Sequence, residues 1–186
     1  MKKIILLCTL AVGMMLNAYT QNVMENLFEK YNGKEGFTSV NISKEMFEMM
    51  GSIQINSDEK DKGTQKINDM KEFASKLTSL KVLTTNKKEG QDNTAKAESF
   101  YKEVMNLMPK NIYKDLMEVN DEGQKVNFYV RRIGSKVAEL VVVVKEKTET
   151  SLISLAGDID LNKVAEFSKD MNIKGMDKIK DAKEKN

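Results

Sequence analysis

The sequence predicts a single α+β domain whose sheet is largely antiparallel, ends in a C-terminal meander and carries helices mainly on one face. Three observations point there. Val126, Phe128 and Val130 alternate with other residues directly after Asp121-Glu122-Gly123, a turn signal. Val137 to Val144 is almost wholly apolar and includes four consecutive valines, which suits a central strand with most of both faces covered. Apolar stripes at helical spacing occur between the strand-like segments.

In order along the chain, Val23, Leu27 and Tyr31, with Met24 and Phe28, predict a short amphipathic helix stopped at Asn32-Gly33. Phe37–Ile42 alternates as a strand. Ser43 reads as the N-cap of a helix over Lys44 to Met50, closed by Gly51. Ile53 to Lys66 is polar enough for an exposed loop. Ile67, Met70, Phe73, Ala74 and Leu77 form a helical stripe, and Leu80–Thr84 returns to strand. Asn86 to Asn93 is a solvated connector, from which Asp92, Asn93 or Thr94 caps the next helix. That helix carries Ala97, Phe100, Tyr101, Val104, Leu107 and Met108, and Pro109 terminates it.

Tyr113 to Val119 fits either a helix or a strand by spacing; the following turn favours a strand over Leu116–Val119. The meander is then Val126–Arg131, Val137–Lys145 with a turn at Gly134-Ser135, and Ser151–Ala156, broken by Gly157. Asp158 or Asp160 caps a last helix with Leu161, Val164 and Phe167.

The N-terminus reads as a secretory signal. Met1-Lys2-Lys3 precedes an apolar run from Ile4 to Leu16, and Ala18, Tyr19, Thr20 and Gln21 form the cleavage region. The expected organisation is a cleavable signal over 1–20, one domain over 21–172 and a charged, fraying tail over 173–186. The expected location is the periplasm or the medium. Of the 186 residues, 30 are basic and 28 acidic; losing Lys2 and Lys3 leaves 28 against 28. A neutral globule has no global field to draw it to nucleic acid.

The only cysteine is Cys8, inside the apolar run and not at its exit, so neither lipid attachment nor a stable membrane anchor after cleavage is expected. The mature chain then lacks cysteine and histidine. That excludes cysteine nucleophiles, Ser-His-Asp triads and the usual zinc sites, and no catalytic residue or cofactor is assigned.

Phe28-Glu29-Lys30-Tyr31, Gly33 to Phe47, Ser79-Leu80-Lys81-Val82-Leu83, Glu139-Leu140-Val141-Val142 and Leu152 to Asp160 together resemble an exported family common in Bacteroidetes, defined by a domain of unknown function (number 4252). The likeness spans roughly Val23 to Phe167. It implies a secreted or envelope protein and carries no catalytic residues over.

Four features have a chemical reading to weigh. Met46, Met49 and Met50 are soft sulfur ligands in principle, but without histidine they read better as adaptable core filler. Asp158 and Asp160 could hold a hard cation, but capping the following helix explains their position without one, and no metal site is assigned. The cluster Asp58 to Gly63 lacks the alternation of a calcium loop and reads as a solvated loop. Glu139, alone in an apolar strand, is either a perturbed acid–base group or a cross-strand partner of Arg131, Arg132 or a lysine, with pairing favoured.

The sequence therefore leads to a non-catalytic exported protein that binds an envelope protein partner. The alternatives are a binder of a small amphiphile between sheet and helices, and a carboxylate-dependent hydrolase using Glu139, Asp158 and Asp160.

Overall fold

The computed structural model describes residues 23–52, 62–86 and 92–170. The expected signal, its cleavage region Ala18 to Gln21, the Asp58 to Gly63 cluster up to residue 61 and the tail from 173 lie outside them.

Helix α1 (Val23–Tyr31) is followed by strand β1 (Phe37–Ser43) and helices α2 (Lys44–Ser52) and α3 (Lys62–Ser75). Strand β2 (Leu77–Thr85) and helix α4 (Thr94–Leu107) come next. The chain then makes β3 (Tyr113–Asp121), β4 (Gln124–Ile133), β5 (Lys136–Lys145) and β6 (Thr150–Ile159), and helix α5 (Leu161–Asp170). The strands form one six-stranded sheet in the order β1-β2-β6-β5-β4-β3, antiparallel at every pairing. The fold is thus α+β around an antiparallel sheet with a C-terminal meander, as the sequence predicts.

The turns follow their residues. Asp121 pairs with Gln124, and between them Glu122 and Gly123 take φ +40° and +91°. Two positive φ values are what a tight hairpin matching strand twist requires, and glycine supplies one at no steric cost. This places Tyr113 to Val119 in a strand.

One feature of the expected fold is corrected: the helices are not mainly on one face. Met24, Leu27, Phe28 and Tyr31 of α1, with Phe100 and Val104 of α4, pack on Leu83, Tyr129, Val141, Val143 and Leu152. The opposite face presents Phe128, Val130, Leu140 and Val142 to Phe47 of α2 and to Val164 and Ala165 of α5, with Phe73 and Ala74 of α3 alongside. The reason lies in the strands. Adjacent residues of β4 and β5 are both apolar, so each side of the sheet must be covered.

Three boundaries also move. Residues 62–66, expected in a loop, belong to α3, whose first turn is held inward by buried Thr64. Leu77, read as the end of the α3 stripe, opens β2 and is buried against the sheet's second core. Gly157 does not break β6, which runs on to Ile159.

Helix α4 is fixed to the first face by polar contacts. Thr150 Oγ1 donates to the carbonyl of Ala97 at 2.9 Å, and Thr150 N donates to Thr85 Oγ1 at 3.0 Å, all buried. Of its three possible caps, Asn93 takes the N-cap position, its carbonyl accepting from Ala97 N at 3.0 Å but its side chain making no cap bond, while Oδ1 of the preceding Asp92 accepts from Thr94 N at 2.9 Å. Buried Asn93 instead donates through Nδ2 to the carbonyl of Thr148 at 2.8 Å. Among the described residues no helix is long and apolar enough to cross a membrane.

Candidate functional site

Four strands each contribute one polar side chain to the helix-covered face carrying α1 and α4. β5 supplies Glu139, and the register sets Arg131 of β4 opposite it and Tyr113 of β3 opposite Arg131. Ser154 comes from β6. Glu139 Oε2 accepts from Tyr113 Oη at 2.8 Å and from Arg131 Nε at 2.9 Å, while Oε1 accepts from Ser154 Oγ at 2.6 Å. Glu139, Tyr113 and Ser154 are buried, and Arg131 is half-buried.

Removing a carboxylate from water is costly, and here three donors, one of them cationic, compensate it. Among the described residues no buried side-chain nitrogen or oxygen lacks a hydrogen-bond partner. Of the two readings of Glu139, the cross-strand pairing with Arg131 is what the structure shows. Nothing in the local sequence singles out Tyr113 or Ser154. Only their strand parity hinted at them: each shares a sheet face with Glu139 once the pairing is known.

A shallow recess adjoins this cluster, lined by Met24, Phe28, Lys81, Leu83, Leu152 and Ser154, and holding about 180 Å³ of empty space including its mouth. Lys81 stands directly opposite Ser154 in the β2–β6 register. Its ammonium pairs with Glu25 of α1 and lies 5.5 Å from the Phe28 ring centre. A cation above apolar walls is the chemistry an amphiphile's acid head would meet. The room enclosed within it, however, is about that of one water molecule, far short of a small-molecule site.

The other candidates are dispersed. Asp158 is exposed and paired with Lys136, and its backbone N donates to the Lys76 carbonyl at 2.9 Å. Asp160 caps α5: Oδ1 accepts from Asn162 N at 2.8 Å, and its carbonyl accepts from Val164 N at 3.0 Å. The two aspartates and Glu139 thus have separate partners and do not face one another across a cleft. Among the described residues no group of three or more acidic, histidine or cysteine side chains is placed to hold a metal ion.

The methionines of α2 divide differently from the expectation of core filler. Met50 is half-buried against the second core, whereas Met46 and Met49 are 51% and 65% exposed. Helix α3, which packs on α2, exposes Met70 and Ile67 at 50% and 37%. Hydropathy assigns such residues to a core. On α2 the buried contact is made by Phe47, between Met46 and Met49.

Two tyrosines on the α1–α4 face make the fold sensitive to alkali. Burial pushes the Tyr129 phenol from the ordinary 10 up to about 12, with the charge of Asp115 adding to it. Burial raises Tyr113 further, reinforced by the charge of Glu139 and the hydrogen bond to it. Both groups hold their proton longer folded than unfolded. Their contribution is therefore complete below pH 10 and is lost as pH rises through about 12 for Tyr129 and higher for Tyr113. Denaturant titrations should show stability unaffected by these groups up to pH 10 and falling beyond it. Tyr129→Phe should flatten that fall, and an unchanged alkaline slope in the variant would remove Tyr129 as its source.

Comparison with curated proteins gives no significant match, and comparison with solved structures gives none either. A family model described as a domain of unknown function (DUF4252) matches residues 31–167. That span runs from the last residue of α1, through the whole sheet and the Glu139 cluster, into α5. The chain therefore belongs to the DUF4252 family.

Proposed function

We infer that this chain is an exported, non-catalytic protein that binds a protein partner of the cell envelope through the exposed surface of α2 and α3. The observation that carries the reading is the exposure of Met46, Met49, Ile67 and Met70 on two helices packed against one another. Large apolar side chains exposed on neighbouring helices are a usual mark of protein contact. Methionine is common at such contacts, because its unbranched, polarizable side chain adapts to its partner.

Two further features support the reading. Both Glu139 oxygens are occupied by neighbouring side chains, and Asp158 and Asp160 are engaged elsewhere, so the carboxylates weighed for hydrolysis are committed to structure. Export rests on the sequence: a basic start, the apolar run Ile4 to Leu16 and the small-residue exit near Ala18.

The test is affinity capture from the envelope fraction of the native host, comparing the wild-type chain with M46K/M49K/M70K at matched thermal stability. A partner retained by the wild type and lost by the triple variant is expected. Equal retention by both, or none by either, would overturn the assignment of this surface. N-terminal sequencing of the chain recovered from the same fraction should begin near Tyr19 to Gln21; a chain still starting at Met1 would count against export.

A further inference from the structure

We propose that Met46, Met49 and Met70 form an oxidation site at which a peroxide converts the apolar α2–α3 surface into a polar one while the fold is kept. The described residues contain eight methionines, and their environments fall into three classes. Met24 and Met108 are buried at 6% and 7% exposure. Met50, Met105 and Met117 are half-buried, and Met105 Sδ additionally accepts from Tyr129 Oη at 3.5 Å. Met46, Met49 and Met70 alone among them are half or more exposed, and all three sit on α2 and α3. The single cysteine of the sequence, Cys8, lies outside the described residues, and these three thioethers are the most exposed sulfur on the described surface.

The chemistry needs only a peroxide. A thioether lone pair attacks one peroxide oxygen, the S–O bond forms as the O–O bond breaks, and with hydrogen peroxide a proton shift releases water. Sulfur gives up two electrons and the peroxide gains them. The product is a sulfoxide, which is polar and a strong hydrogen-bond acceptor. At Met24 or Met108 such a group would be buried without a partner and would unpack the α1–α4 core. At Met46, Met49 and Met70 it faces water, and the inward contacts of α2 through Phe47 and Met50 are left as they were. The consequence for partner binding rests on the function proposed above; the oxidation site itself does not.

The test treats the purified full chain with hydrogen peroxide, maps each methionine by peptide mass and follows near-ultraviolet circular dichroism and retention on a phenyl matrix. Met46, Met49 and Met70 should each gain one oxygen at least about tenfold faster than Met24 and Met108. Retention should fall while the near-ultraviolet signal persists, and M46L/M49L/M70L should keep its retention after the same treatment. Equal rates at buried and exposed methionines, unchanged retention, or loss of the folded signal in step with oxidation would each overturn the proposal. Partner capture with the oxidised wild-type chain separates the two readings. Selective oxidation with undiminished capture would leave the oxidation site standing and remove the docking role from this surface, whereas unselective oxidation would remove the site and leave docking untouched.

Discussion

Replacing Gly157 by alanine is expected to cost about 4 kcal/mol of stability and to lower the melting temperature by about 10 °C. Two effects add. Gly157 has φ +148°, a conformation that residues with a side chain rarely adopt. A Cβ placed there would lie 2.3 Å from the Lys76 carbonyl oxygen and 2.7 Å from Leu77 Cα, both backbone atoms that no rotamer change can move aside. The close approach has a structural purpose. β2 pairs Leu77 with Gly157 and then Ser79 with Ala156, while β5 pairs Val137 with Ile159 and then Glu139 with Ala156. The register shifts on both sides of β6 at this glycine, as at a bulge. The Lys76 carbonyl that approaches Gly157 also accepts from Asp158 N at 2.9 Å. Gly123→Ala is the control: φ there is +91°, but nothing lies within 4 Å, so only the conformational term of about 1 kcal/mol applies. Thermal unfolding of the two variants decides the matter. If Gly157→Ala costs no more than Gly123→Ala, the backbone approach is not what glycine is needed for.

The second large effect is expected at Glu139. Glu139→Ala should cost about 3 kcal/mol, because it strands Arg131 and the buried hydroxyls of Tyr113 and Ser154 at once. Glu139→Gln keeps the volume and one acceptor oxygen and should cost about half as much. The discriminating variant is the double replacement Arg131→Met with Glu139→Leu. Removing both charges also removes the need to solvate either, so stability should recover at least half of what Glu139→Ala loses. Denaturant midpoints at neutral pH provide the measurement. A Glu139→Ala protein within about 0.5 kcal/mol of the wild type would show that the network contributes nothing net.

The pairing of Glu139 was legible from sequence because it is local: Arg131 and Glu139 flank the Gly134-Ser135 turn, and a hairpin of that length leaves few registers to choose between. Ser154 and Tyr113 were not, since each joins the cluster through another strand pairing. From sequence Gly157 predicts a break, because glycine does end strands. That this one lets two backbones meet depends on Lys76, some eighty residues earlier in the chain.

By itself the sequence determined the helical stripes, the alternation of the strands, the hairpin turns of the meander and the absence of histidine, all properties of neighbours along the chain. Only the tertiary structure decided that β2 joins the meander beside β6, that helices cover both faces, and that Met46 and Met49 look outward. Periodicity states which residues of a segment share a side. Which distant surface meets that side, and whether a further layer lies beyond it, is settled by how the segments fill space together.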